Sequence, residues 1–304
     1  MLKTFTLTDS TIVPSHDEKS PILVFINPTI EEKDILIDEY NINSHTLQSA
    51  LDPDELPRLE FEPDHAALIL KHPKNYSAAD EYLFKVSSIG IYWYSNRIII
   101  VMMDDIQLFD SKLFFKVNSI SDIVLKLLLR MINHYIDHLK VINMISDSLE
   151  QKINTSMKNK YLINLFTLEK SLVYYLNAIN SNAAVIERIK NNYQRLVLNK
   201  EELELLEDII IENSQCLKQA EIYSNILAGL MDARVSIVSN NLNILMKTLN
   251  LITISIMVPT FVVSAFSMNV SIPLQKHTYA FWIIMFLAFI SVILFMILWR
   301  LRRW

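Results

Sequence analysis

Chemistry in this chain sits on one helical face. At about 100° per residue along a helix, Asp232, Ser239, Asn243, Met246, Asn250, Thr253, Met257, Thr260 and Ser264 share one arc about 100° wide. Most of this face lies in a strongly apolar stretch. Asn, Thr and Ser at membrane depth should face protein or water, because lipid offers them no partner. In a symmetric ring of such helices the face would line an axial passage. Rings of oxygen atoms would alternate with rings of Met, which can close a passage by excluding water. Helix–helix packing is the competing reading, since Ser and Thr also bond across helix interfaces.

Other candidate groups are few. His134 and His138 stand four apart on a helix, a spacing that can hold zinc, but the Glu of an HExxH pair is missing. A plain helix surface is the expected reading there. Cys216 has no base partner in the sequence and reads as packing. With Gly90 and Gly229 the only glycines, Gly-rich phosphate loops are excluded. No constellation for nucleophilic or acid–base catalysis is present, so no enzyme is expected.

The elements that position the polar face follow from charge patterning. From Asn240 to Asn269 the chain crosses one charge, Lys247, and then stays uncharged until Lys276. A second uncharged run extends from Tyr279 to Trp299. Each is long enough to cross a hydrocarbon core of about 30 Å as a helix. The chain is 51% hydrophobic, with a mean hydropathy of +0.25 that owes its excess to these two runs. Lys247 precedes the first run, and Arg300, Arg302 and Arg303 follow the second, so both chain ends are expected inside the cell. Tyr279 and Trp282 would mark the outer interface, Trp299 and Trp304 the inner one.

Upstream, residues 1 to about 118 read as mixed α/β. Pro21–Ile26 is a short strand. Thr29 followed by Glu31, Glu32 and Asp34 reads as a helix start, with acids where the dipole favours them. Leu59–Phe61, Ala66–Lys71, Tyr82–Tyr94 and Arg97–Met103 read as strands. From Ser119 the pattern turns helical, with Ile123, Leu127, Met131, Tyr135 and Leu139 on one stripe. A first long helix is expected to about Thr155, a polar break at Asn154–Asn159, and a second helix from about Lys160 to Asn199. A third opens at Glu201 and Glu202 and carries an apolar stripe from Leu206 to Leu245. No proline occurs between Pro73 and Pro259, so stalk and first span read as one helix of about 60 residues, roughly 90 Å long. Such a helix needs partners, and symmetric self-association supplies them. A net charge of −5 fits a cation-attracting protein and speaks against a nucleic-acid partner. The single cysteine suits a reducing compartment, and MLKTFTLTDS has no apolar core, so no secretory leader is expected.

Several of these residues carry a resemblance. Met246-Lys247-x-Leu249, Pro259-Thr260-Phe261, Met268-Asn269 and Pro273 resemble the pore helix and signature of the CorA family of divalent-cation transporters. That family ends its pore helix in Gly-Met-Asn; here the triplet is Ser267-Met268-Asn269. The spacing from Met246-Lys247 to Met268-Asn269 fits without a gap. Far upstream, Leu51 to Glu60 also resembles the family's N-terminal domain.

The resemblance implies a CorA-like architecture: a cytoplasmic α/β domain over residues 1–118, long antiparallel helices over 119–200 and a stalk helix over 201–248. A first transmembrane helix over 249–269 would line the pore, a loop over 270–278 would lie outside, and a second transmembrane helix over 279–299 would lead to a basic tail at 300–304. It implies a homopentamer in the cell (inner) membrane with both termini cytoplasmic. By the same resemblance, Ser267, Met268 and Asn269 form the selectivity filter. Asn243, Met246, Leu249, Asn250, Thr253, Met257, Thr260 and Ser264 line the pore and its gate. Asp232 forms an acidic ring, and Asp208 is a stalk carboxylate that helps bind regulatory Mg²⁺ between subunits. The expected cargo is Mg²⁺, taken up down its electrochemical gradient and gated by cytoplasmic Mg²⁺. Two alternatives stand beside it: transport of Zn²⁺, Co²⁺ or Ni²⁺, since zinc-transporting relatives also vary the triplet, and a non-conducting membrane-anchored sensor or scaffold. Ser267 adds a side chain where a helix end often wants the positive φ of glycine. The loop after it lacks the acids some members place there.

Overall fold

The computed structural model describes residues 1–17, 19–77, 80–155, 159–268 and 277–302. It divides into two compact units, Met1–Met231 and Asp232–Trp304.

The first unit is built on a sheet of seven strands. They are β1 (Leu2–Thr8), β2 (Thr11–Ser15), β3 (Ile22–Ile26), β4 (Arg58–Phe61), β5 (His65–Pro73), β6 (Val86–Tyr94) and β7 (Ile98–Met102). Their order is β2-β1-β3-β7-β6-β5-β4. Only β3 and β7 run parallel, with Val24 opposite Ile100; the remaining pairs are antiparallel. The central strands are apolar on both faces, as a sheet covered on both sides must be. Ile22, Val24, Ile26, Leu68, Leu70, Ile98 and Ile100 enter one core, while Leu23, Phe25, Ala67, Ile69, Ile99 and Val101 enter the other.

Two short helices cover the second face: α1 (Ile30–Asp38) and α2 (Ser44–Leu51). The start of α1 is the expected one. Thr29 accepts from the Glu32 backbone at 3.2 Å and Glu32 accepts from the Thr29 N–H at 2.9 Å, a reciprocal cap. Helix α2 comes so close to β6 that a Cβ on Gly90 would stand 2.5 Å from the Ala50 Cβ. Glycine at 90 is therefore a demand of close packing rather than of φ. Beyond α2, Arg58 clamps the segment leading into β4: its guanidinium donates to Glu55 at 2.7 Å, Glu60 at 2.6 Å and the Ser49 hydroxyl at 2.9 Å.

The first face is covered by long helices α3 (Ile120–Thr155), α4 (Asn159–Asn191) and the start of α5 (Lys200–Phe266). The expected stripe on α3 is buried throughout, from Ile123 to Leu139. Asn182 on α4 ties the helix to the sheet by accepting from the Lys71 N–H at 2.9 Å and donating to its carbonyl at 2.7 Å. Helix α4 ends at Asn191, short of the expected Asn199. The Asn192 amide donates to the Arg188 carbonyl at 2.8 Å, and Val197 adopts φ 54°, which no helix tolerates. Asn199 then caps α5: it accepts from the Glu202 N–H at 2.9 Å while Glu202 accepts from the Asn199 N–H at 2.8 Å. On α5, Leu206, Ile209, Cys216, Ala220 and Leu227 are buried in the first-face core.

The second unit holds the rest of α5 and helix α6 (Ala280–Arg302). Both helices are long and apolar enough to cross a membrane, and their apolar windows are almost wholly unburied. Phe261, Met257, Phe281, Trp282, Phe286 and Leu301 all point outward. A surface of this kind calls for lipid or further protein around it.

Candidate functional site

Helix α5 is unbroken from Lys200 to Phe266, although it contains Pro259. Pro259 has no N–H, so the Ser255 carbonyl loses its helical partner. The hydroxyls on either side bond back to their own helix, as those of Thr248 and Thr253 do further down. Ser255 donates to the Leu251 carbonyl at 2.7 Å and Thr260 to the Ile256 carbonyl at 2.6 Å.

The polar face is open along its whole length. Asp232, Ser239, Asn243, Met246, Asn250, Thr253, Met257, Thr260 and Ser264 are all exposed, as is Leu249. Among the described residues, no side-chain hydrogen bond occupies Asn243 or Asn250. Two of its hydroxyls, those of Thr253 and Thr260, are set in one sense. Thr253 donates to the Leu249 carbonyl at 2.9 Å and Thr260 to that of Ile256, so each proton is spent on its own helix. Each oxygen is left as an acceptor. The water shell of a cation presents hydrogens outward, and acceptor oxygens are what such a shell needs. Met246 and Met257 stand between these polar levels, each about 60% exposed.

The top of the face is the expected signature. Helix α5 stops at Phe266, and Ser267 turns the chain. Its N–H and its hydroxyl both bond to the Ser264 carbonyl, at 3.1 and 2.8 Å. Among the described residues with positive φ, Ser267 does not appear. The turn therefore needs no glycine, and the hydroxyl adds a second bond to a carbonyl of the last helical turn. Met268 is exposed. Asn269 and residues 270–276 of the expected outer loop lie outside the described residues, as do Arg303 and Trp304.

Asp208 lies exposed near the start of α5, next to Glu207, which stands 3.9 Å from Lys190. Among the described residues no three His, Cys, Asp or Glu side chains converge to hold a metal ion.

The histidines of α3 are not a plain surface. His138 is buried and its Nδ1 lies 2.6 Å from the Tyr175 hydroxyl. The His134 ring stands 4.4 Å from that of His138, centroid to centroid. His72 on β5 is fully buried; its Nδ1 faces the Pro73 carbonyl at 3.0 Å and its Nε2 has no hydrogen-bond partner among the described residues. A carbonyl only accepts, so Nδ1 carries the proton. Burial pushes all three histidines down to about 4. They are neutral packing groups of the α/β unit. The sequence spacing exposed the pair on α3 but gave no hint of His72, which only the sheet brings near. Cys216 is likewise buried, and burial pushes its thiol up to about 12.

Comparison with known proteins bears on this arrangement. The family model described as CorA-like Mg²⁺ transporter protein matches residues 19–303. The cobalt/magnesium transport protein CorA of Methanocaldococcus jannaschii is 25% identical over 295 residues, which is 91% of this chain and 89% of that protein. The complete structure of the CorA magnesium transporter from the same organism superposes with a TM-score of 0.83 at 23% identity, covering 98% of this chain and 96% of the other. The structure of full-length CmaX superposes at 0.76 with 15% identity, over 99% and 97% of the two chains. At these identities the superpositions speak for the fold.

Proposed function

The chain belongs to the family of CorA-like Mg²⁺ transporter proteins, which move divalent cations across a membrane, and we propose that it is a homopentameric channel carrying Mg²⁺ inward down its electrochemical gradient. The observation that carries this reading is the unpartnered face of α5 from Asp232 to Ser264. Its amides, acceptor hydroxyls and thioethers have no use facing lipid and a clear use around an axis. Both termini lie in the cytoplasm of a cell whose inner membrane holds the two spans.

Mg²⁺ is hard, prefers oxygen and gives up water reluctantly. Rings of Asn243, Asn250, Thr253, Thr260 and Ser264 accept hydrogen bonds from the ion's water shell and release it easily, because neutral groups hold it loosely. Ser267, Met268 and Asn269 form the outer mouth, where the Asn269 amide meets the hydrated ion. Rings of Met246, Leu249 and Met257 form the constriction, which stops conduction by drying. Asp232 forms an acidic ring that concentrates cations below it. An inside-negative potential adds about 2.3 kcal/mol per elementary charge per 100 mV, so roughly twice that for a divalent ion.

Gating follows from the stalk. Asp208 supplies one carboxylate of a Mg²⁺ site completed by a neighbouring subunit. Bound Mg²⁺ holds the subunits symmetric and the constriction narrow; its loss lets the acids repel and the ring loosen. The relative from Methanocaldococcus jannaschii is named for cobalt as well as magnesium, which favours Co²⁺ as a second cargo, with Ni²⁺ and Zn²⁺ tested beside it. The test is uptake into proteoliposomes under an inside-negative potential, with competing metals and with Asp208→Ala. Mg²⁺ uptake that Co²⁺ competes for, and that internal Mg²⁺ inhibits in the wild type but not in Asp208→Ala, supports the reading. Inhibition unchanged in Asp208→Ala sinks the site assignment. No flux of any divalent ion sinks conduction and leaves a sensor or scaffold.

A further inference from the structure

Within the second unit, α5 and α6 enclose a groove distinct from the polar face. It is lined by Ile244, Lys247, Leu251 and Ile254 of α5 and by Phe295, Leu298 and Trp299 of α6, and it encloses about 980 Å³. The α5 residues of the groove centre about 100° around the helix from the polar face, with Asn250 at the border between them. Most of the lining is apolar; Lys247, Thr248 and Asn250 are its polar members, and Lys247 of α5 shares the groove with Trp299 of α6. A lysine and a tryptophan together at one end of an apolar surface are the groups that mark the membrane interface.

The charge balance of this unit says what should meet Lys247. From Ala233 to Trp304 the sequence contains no Asp or Glu, while Arg234, Lys247, Lys276, Arg300, Arg302 and Arg303 are basic. No carboxylate pairs with Lys247 among the described residues. An ammonium at the mouth of an apolar groove, in a unit whose one acid is Asp232, calls for an anion attached to an apolar tail. We propose that this groove binds an anionic phospholipid of the cytoplasmic leaflet. Its phosphate takes hydrogen bonds from Lys247 and from the Trp299 indole N–H. An acyl chain lies along Leu251, Ile254, Phe295 and Leu298. Bound there, the lipid fills the space between the helix that carries the polar face and the helix behind it, and so braces α5 from the side away from that face. The proposal rests on the reading of α5 and α6 as membrane spans.

Trp299 reports on the groove directly. The full chain, with Trp282→Phe and Trp304→Phe, is reconstituted into phosphatidylcholine vesicles containing phosphatidylglycerol, and one lipid at a time carries brominated acyl chains that quench indole fluorescence. Trp93 is buried among the first-face core and gives a constant background. The expected result is quenching at least threefold stronger by brominated phosphatidylglycerol than by brominated phosphatidylcholine at equal mole fraction. That preference should fall to about one in Lys247→Gln and persist in Arg300→Gln, whose charge lies outside the groove lining. Equal quenching by both lipids in the wild-type groove overturns the proposal. So does an equal loss of preference in Lys247→Gln and Arg300→Gln, which would mean diffuse attraction to the surface. A companion chain retaining Trp282 and carrying Trp299→Phe and Trp304→Phe separates the two readings. Quenching of Trp282 without quenching of Trp299 means that a second copy of the chain covers the groove, and the lipid proposal alone fails. No quenching of Trp282 means that the membrane reading itself fails.

Discussion

Acid should loosen the α/β unit, and His72 is the most enclosed of the groups responsible. Its Nδ1–H is used by the Pro73 carbonyl, and its buried Nε2 has no partner among the described residues. Protonation there would place an unpaired cation in the core beside Lys71 and Lys74, with only Asp104 in compensation. Burial therefore holds the ring down at about 4 against an ordinary 6.5. A folded-state pKa below the unfolded one means that stability is fully present above the unfolded value and is lost as pH falls toward the folded value. The window here is about pH 6.5 to 4. Between pH 7 and 5 the linkage costs about 2 kcal/mol for His72 alone, at 1.4 kcal/mol per pH unit. His134 and His138, also lowered to about 4 but less enclosed, add in the same direction. For a unit of this size, 2 kcal/mol corresponds to roughly 4–8 °C in Tm. The assay is thermal unfolding of the full chain in detergent at pH 7 and pH 5, followed by near-ultraviolet circular dichroism. The wild type should lose stability on acidification, and His72→Phe, which keeps a ring but cannot charge, should lose about 4–8 °C less. An equal acid-induced drop in both proteins would refute the reasoning and move the effect to groups other than His72.

Three further outcomes follow from local geometry. Gly90→Ala drives a Cβ to 2.5 Å from the Ala50 Cβ, so α2 must move; a loss of about 1–3 kcal/mol and a matching fall in Tm are expected. Gly229→Ala meets nothing within 4 Å in the single chain and should raise Tm through helix propensity of about 0.5–1 kcal/mol; a fall instead would show that another subunit packs on that spot. Asn199→Ala removes the cap of α5 and should cost about 1 kcal/mol, read as a Tm loss of a few degrees.

The sequence made the large elements legible and the marginal ones obscure, for physical reasons. Ile22–Ile26 and Ile98–Met102 are continuous apolar runs, buried on both faces, and no other element suits them. The stripe from Ile123 to Leu139 repeats at helical spacing over several turns. By contrast β1 and β2 lie at the sheet edge, half-exposed, and alternate Thr with apolar residues too weakly to be distinguished from loop. Helix α2 has eight residues, and its start depends on Asn43 accepting from the His45 N–H. The strand expected from Tyr82 begins only at Val86, because Glu81 and Tyr82 take positive φ, which no strand tolerates. The end of α4 is hidden in the sequence because no Pro or Gly precedes Asn199 within that stretch; the stop is made by Asn192 and the left-handed Val197. The polar face of α5 was legible because a helix in an apolar stretch leaves few reasons for Asn and Thr. The groove beside Lys247 was not, since it exists only where two helices separated by more than 40 positions come together.

Conduction along α5 requires that the face from Asn250 to Ser264 line the path of the ion. Cys216 is buried with its thiol pushed up to about 12, so the wild-type background is silent to water-soluble thiol reagents. The measurement is Mg²⁺ uptake into proteoliposomes by Thr253→Cys, Met257→Cys, Ile252→Cys and Ile256→Cys chains, before and after a charged methanethiosulfonate. Lining of the path predicts that flux through Thr253→Cys and Met257→Cys falls at least several-fold while Ile252→Cys and Ile256→Cys are untouched. Loss of flux at the isoleucines with none at Thr253 and Met257 would put the path on the other side of the helix and contradict the account.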